Sequence, residues 1–262
     1  LSTATAMDPH GPRWLVPEWP APPNVRAVCT TRDDGVSLGR YASLNLGDHV
    51  GDDPAHVREN RARLQRAAAV RPVFLQQVHG TGVVSLDAAE DPVRDGTAAD
   101  ACTATTAGLA CTIMVADCLP VLFADEAGHR IAAAHAGWRG LAAGVLEQTF
   151  RRFDAGQGAA KVIAWLGPCI GPGAFEVGPE VKAAFEAHAP EAAHCFKAAP
   201  APGKWLADLP ALARQRLRAA GVDAVYGNDG GDAWCTVNNP SRFFSHRRDG
   251  VSGRFAALVW KV

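Results

Sequence analysis

Three short apolar runs crowd into one stretch of the chain, at residues 109–116, 119–124 and 131–134. Each is rich in Val, Ile, Leu or Ala, as buried strands are. Asp125-Glu126-Ala127-Gly128 supplies a turn between the second and third. A chain built around such a stretch folds about a sheet.

Reactive groups stand at the ends of these runs. Asp117 and Cys118 interrupt the apolar sequence, and His135 closes the third run ahead of Gly137-Trp138-Arg139-Gly140. Strand ends on a rigid sheet are where side chains are presented to a cleft. A free Cys also behaves as a small buried hydrophobe, and a strand-end His is often only hydrogen-bonded. These two residues alone therefore leave a structural and a functional reading open.

The chain has 262 residues, 48% of them hydrophobic and 20% charged, which is enough for a sizeable core and marks a globular chain. The formal net charge of −1 gives no basic surplus for nucleic acid or an anionic membrane. No apolar run approaches the ~20 residues a bilayer requires. The first residues lack the basic start and apolar core of a signal peptide. Leu1 to Ala6 precede Met7 and read as an expression remnant, leaving 7–262 as one catalytic domain. Seven cysteines, an odd number without a CxxC pair, argue against a disulfide framework and for a reducing, cytoplasmic setting.

Along the chain, strands are expected at 25–30, 72–78, 83–86, 161–166, 222–226 and 253–262. Helices are expected at about 54–68, 141–153, 179–187 and 209–220, the first capped by Asp53 with Pro54 behind it. Residues 90–96 and the basic stretch 243–250 read as loops. Gly167-Pro168-Cys169-Ile170-Gly171-Pro172-Gly173 is a stiff loop without the ending of a phosphate loop. Strands and helices do not alternate as in a doubly wound fold, so the class is α+β, a single domain with layered, mixed sheets.

Of nine histidines, His79 stands at a predicted strand end before Gly80, as His135 stands before Ala136-Gly137. With Cys118 they make two imidazoles and a thiolate, which leave one tetrahedral position open, the pattern of a catalytic zinc site.

LQQVHG at 75–80, ADCLPV at 116–121 and AAHAGWRG at 133–140 resemble the YfiH family, also called the polyphenol oxidase, laccase-domain or peptidoglycan editing factor family. The likeness continues through 43–61, 167–181 and 243–254, in the family's order. The resemblance implies a four-layer α-β-β-α sandwich and one zinc per chain on His79, Cys118 and His135. It also implies phosphorolysis of adenosine, inosine, guanosine or methylthioadenosine, and deamination of adenosine. Copper-dependent phenol oxidation and editing of cell-wall precursors are attached to some members. Asp34, Gly173-Ala174 and His246 depart from the usual pattern and bear on loops and substrate preference.

Asp117 is the carboxylate nearest a ligand in sequence, either a proton carrier or a group orienting a ligand histidine. Arg139, Arg247 and Arg32 lie in Gly-bearing loops and are candidates for phosphate; each equally suits a solvated surface. Asn45 and Gln77 suit base or ribose edges, or structural hydrogen bonds. Trp138 suits stacking on a purine, or the core. The partners expected are a purine nucleoside and phosphate, bound by a monomer. Against a multicopper oxidase stand the absence of a His-x-His pair and the scatter of the histidines, although a Cys/His₂ site also takes copper. A metal-free cysteine hydrolase with Cys118 as nucleophile is the further enzyme reading, and a binding protein of cell-wall synthesis is the non-enzymatic one.

Overall fold

Alternation along the central strands decides the architecture, because successive residues face opposite sides of a sheet. In a computed structural model, which describes residues 13–87, 93–153 and 161–262, the elements run as follows. They are β1 (Val25–Cys29), α1 (Pro54–Ala68), β2 (Arg71–Phe74), β3 (Val83–Ser85), β4 (Ala101–Ala104), β5 (Leu109–Val115), β6 (Leu119–Asp125), β7 (Ile131–Ala136), α2 (Trp138–Ala143), α3 (Val145–Phe150), β8 (Val162–Leu166), β9 (Glu176–Val177), α4 (Pro179–Glu186), β10 (Phe196–Ala198), β11 (Trp205–Ala207), α5 (Leu209–Ala219), β12 (Ala224–Gly227), α6 (His246–Asp249) and β13 (Phe255–Lys261).

Two large mixed sheets result. One has the order β1-β13-β5-β2, the other β12-β8-β6-β7-β4-β3, and a small sheet has the order β10-β11-β9. The pairs β2–β5, β3–β4 and β12–β8 are parallel, and the other pairs are antiparallel. On β6, Val121 and Phe123 face one core while Leu122 and Ala124 face another. The second core lies between the two large sheets and includes Cys111, Ile113, Phe255, Ala257 and Val259. The first is covered by Leu141, Val145, Val181, Phe185, Leu212 and Leu217 from α2 to α5. A third core packs Leu64 of α1 against Phe74, Met114, Leu258 and Trp260 on the far face of the β1-β13-β5-β2 sheet. The stack is therefore helix, sheet, sheet, helices: a single α+β fold with mixed sheets, in the four layers the resemblance implied.

Helix α1 begins where its sequence dictates. The Asp53 carboxylate accepts from Ala55 N at 2.7 Å, and Pro54 holds the first helical position. Elsewhere the boundaries shift for local reasons. The strand expected over 72–78 ends as a ladder at Phe74. Beyond it the Gln77 side chain pairs with both the N–H and the C=O of Met114, at 2.9 and 2.8 Å, in place of a strand neighbour. The helix expected at 141–153 starts earlier, at Trp138, and is broken at Gly144, whose φ of 100° no helix accommodates. Within the expected basic loop, residues 246–249 form the single helical turn α6. Ser245 caps it through a 3.1 Å hydrogen bond from Arg248 N. The short strands β10 and β11 have no counterpart in the sequence reading. Part of the expected 90–96 loop lies outside the described residues. Among the described residues no helix is long and apolar enough to cross a membrane.

Candidate metal centre

His79, Cys118 and His135 arrive from three places in the chain and meet at one end of the layer between the sheets. Pairing of β6 with β7 sets Leu119 opposite Ala136 and Pro120 opposite His135, which brings Cys118, one residue before β6, beside His135. His79 follows the end of β2 in a left-handed conformation, φ 60°. Asp117, just before Cys118, is likewise left-handed, φ 96°. Such backbone is costly for residues other than glycine and concentrates at functional sites. The His79 and His135 rings stand edge to face with centroids 4.7 Å apart. Cys118 Sγ lies 3.7 Å from His79 Nε2. One donor atom from each of the three residues falls within 4.8 Å of the other two.

Asp100, missed in the sequence, fixes this arrangement. It is fully buried one residue before β4. Its Oδ1 accepts from His79 N at 2.9 Å and contacts His135 Nδ1 at 2.8 Å. Its Oδ2 accepts from Gly80 N at 2.6 Å and Val78 N at 3.2 Å. One carboxylate thus holds the strained turn that carries His79 and occupies Nδ1 of His135, leaving that ring's Nε2 for the cleft. Carboxylate partners of this kind set the tautomer and orientation of ligating histidines. Burial opposes the charge on Asp100, but His135 and the N–H groups of Gly80 and His79 outweigh it and hold the carboxyl below its ordinary range.

The same geometry polarises the Cys118–His135 pair. Burial opposes ionisation of the thiol, yet His135, joined by His79, lowers it to about 6. Burial likewise opposes the imidazolium, yet the Cys118 thiolate and Asp100 raise His135 to about 9. A thiolate with two imidazoles is a donor set for a borderline-soft cation. Donor atoms on a tetrahedral zinc are roughly 3.6 Å apart by the bond lengths of such sites, close to the Cys118–His79 spacing. Close packing keeps the centre compact. A Cβ on Gly137 would stand 2.8 Å from His79 Cδ2 and 3.0 Å from Cys118 Sγ, and one on Gly140 would stand 2.7 Å from Gly80 O. These two glycines let α2 close over the donors.

The three donors open into a cleft of about 480 Å³. Its wall includes Met114, Trp138, Ile170 and Phe175, with Gln77, Asp117, His49, His246, Arg247 and Arg254. Of the residues singled out in the sequence, Gln77, Asp117, Trp138, His246 and Arg247 line this cleft beside the three donors. Both carboxylate oxygens of Asp117 are engaged, by Thr236 Oγ1 at 2.6 Å and Arg247 N at 2.6 Å. The carboxylate touching His135 is that of Asp100, not that of Asp117. Asn45 is fully buried. It donates to Gly47 O and Asp52 and accepts from Gly47 N and Arg254 N, so it braces the loop behind the cleft. Arg32 donates to Ala42 O and Pro240 O and lies over the Phe244 ring, outside the cleft. Arg139 is exposed and stacks on Trp138, also outside it. Arg254 was not singled out, although it closes the FFSHRRDGVSGR motif that had been noticed.

Residues 26–262 match the family model described as multi-copper polyphenol oxidoreductase laccase. A purine nucleoside phosphorylase of Pseudomonas aeruginosa is 53% identical over 247 residues, which span 94% of this chain and 98% of that one. Purine nucleoside phosphorylase YfiH of Escherichia coli is 48% identical over 250 residues, 95% of this chain and 98% of its own. Among solved structures, Neisseria meningitidis protein NMB0706 superposes with a TM-score of 0.86 at 48% identity, covering 95% of this chain and 98% of that one.

Proposed function

This chain belongs to the family described as multi-copper polyphenol oxidoreductase laccase, to which its YfiH-named relatives tie it, and from that premise we propose that it is a metal-dependent purine nucleoside phosphorylase. The observation that carries the reading is the coincidence of three donor atoms within 4.8 Å with a cleft of about 480 Å³ walled by apolar and cationic side chains. That volume falls in the range of roughly 300–1,000 Å³ typical of small-molecule sites. The relatives named purine nucleoside phosphorylase support the substrate class.

His79, Cys118 and His135 are the residues that would hold the ion, and zinc, one per chain, suits two imidazoles and a thiolate. Copper outranks zinc in intrinsic affinity, so the same donors also take copper. A laccase needs several copper centres, whereas among the described residues one group of three clustered donors is found. When bound, the metal supplies Lewis acidity and lowers the pKa of water.

The chain's own residues supply the rest. Asp100 keeps the His135 proton on Nδ1 and Nε2 toward the cleft. Phe175, Ile170, Met114 and Trp138 offer apolar surface to a purine. In phosphorolysis a phosphate oxygen bonds to C1′ of the ribose, the C1′–N bond breaks, and the base leaves with a proton. Each oxygen of Asp117 accepts one hydrogen bond and retains a lone pair for a substrate proton. This is the role the reading gives Asp117 in deamination of adenosine, the second activity proposed here.

The test is incubation with adenosine, inosine, guanosine and methylthioadenosine, with and without phosphate, followed by chromatography of the free base and the sugar phosphate. Free base that appears only with phosphate is the expected result. No base release from any of the four contradicts the reading. One observation favours a second reading: Cys118, His135 and Asp100 also form a nucleophile–base–carboxylate series. A cysteine hydrolase would survive complete metal removal and be abolished by alkylation.

A further inference from the structure

Phosphorolysis requires a place for phosphate, and the arginines in and around the cleft differ in what they can offer. Arg32 and Arg139 lie outside it. Arg247 lines it but is exposed, and its Nη1 is engaged by Glu176 O at 3.0 Å and Ala174 O at 3.5 Å. Arg254 is half-buried in the cleft wall. Only its Nη1 is bonded, to Ser252 O at 2.9 Å, Gly253 O at 3.0 Å and Ser252 Oγ at 3.4 Å. Among the described residues no protein acceptor meets its Nε or Nη2, and no carboxylate approaches within 4.0 Å.

That edge of the guanidinium, Nε with Nη2, is the one that grips two oxygens of a tetrahedral anion side by side. Holding a cation in a half-buried wall with no carboxylate in direct contact is costly, and the backbone and stem that carry it are held in place. The buried Asn45 accepts from Arg254 N at 2.8 Å. Gly47 leaves room for the stem, since a Cβ there would lie 2.8 Å from Arg254 Cγ.

We propose that Arg254 binds inorganic phosphate through its Nε–Nη2 edge, beside His79, Cys118 and His135. The proposal rests on the phosphorylase reading for the identity of the anion. The other source of the same chemistry is the 5′-phosphate of a nucleotide.

The experiment uses full-length protein and the Arg254→Gln and Arg254→Lys variants, each checked for metal content and thermal unfolding. Inorganic phosphate and adenosine are titrated separately by calorimetry, and the KM for each is measured in phosphorolysis. Arg254→Gln is expected to raise the phosphate KM and Kd about tenfold to a hundredfold while the adenosine Kd moves less than about twofold, as loss of charge-assisted hydrogen bonds to one ligand implies. Arg254→Lys should fall between, because charge is kept and the fork is lost. If Arg254→Gln does not fold, the Lys variant carries the test through the phosphate-to-adenosine ratio alone. Unchanged phosphate binding, or equal loss for phosphate and adenosine, would overturn the proposal. Arg254-dependent binding of AMP tighter than that of phosphate would overturn the assignment to inorganic phosphate. A parent that binds phosphate through Arg254 but releases no base would leave this inference standing and sink the phosphorylase reading. A parent that binds no phosphate would sink the inference itself.

Discussion

Replacing Asp100 by Asn keeps the shape of the side chain and removes its charge and one acceptor oxygen. In the native protein Oδ1 serves His79 N and His135 Nδ1, and Oδ2 serves Gly80 N and Val78 N. An amide has a single oxygen, so whichever way it turns, two donors face an NH₂ group. Hydrogen bonds to a charged group contribute about 1.5–3 kcal/mol each, so losing two, partly offset by relaxation, costs roughly 2–5 kcal/mol of stability. Metal affinity should fall about 10–100-fold, the usual effect of removing a carboxylate behind a ligating histidine. The pH dependence follows from the direction of the Asp100 shift. A carboxyl held below its ordinary range stabilises the fold above its unfolded pKa of about 3.9, and that contribution is lost as pH falls through the lower folded value. The gap between parent and Asp100→Asn should therefore narrow in acid. Urea unfolding of metal-stripped protein across pH gives the stability, and competition against a chromophoric chelator gives the zinc affinity. Lower stability with unchanged zinc affinity would refute the claim that Asp100 organises the donors.

Two further outcomes test the centre from other sides. Gly137→Ala forces a methyl to within 2.8 Å of His79 and 3.0 Å of Cys118; overpacking of this kind costs about 1–3 kcal/mol, and zinc affinity measured by chelator competition should drop while far-UV circular dichroism stays native. In metal-stripped protein the rate of Cys118 alkylation should rise with pH through a midpoint of about 6 and shift upward in His135→Gln, whereas metal-loaded protein should resist alkylation throughout; a midpoint in the ordinary thiol range near 8.5 would show that the imidazoles do not hold the thiolate.

What the sequence disclosed and what it withheld separate along physical lines. The runs that became β5, β6 and β7 were legible because burial on both faces makes a strand continuously apolar. Their ends located Cys118 and His135, and the end of the strand expected before Gly80 added His79. Asp100 was not legible. It sits in an alanine-rich segment with no periodicity, and its meaning comes from reaching both the 78–80 turn and a histidine 35 positions away. Arg254 was missed for the same reason: its backbone N–H is held by Asn45, 209 positions away, and its side chain lines the cleft beside donors from distant parts of the chain. Arg32 and Arg139 were plausible beside Gly-bearing motifs, but which side of a loop faces a cleft is a tertiary property. The small sheet escaped notice because strands of two or three residues are too short to show a period of two. The split of the 138–150 helix turned on a single glycine whose φ only the structure shows.

The most direct measurement is metal content by mass spectrometry on protein purified without added metal, for the parent and Cys118→Ala, with phosphate-dependent base release assayed on the same samples. The account predicts about one zinc per chain in the parent, and joint loss of zinc and base release in the variant. Base release that persists in Cys118→Ala without bound metal would contradict it.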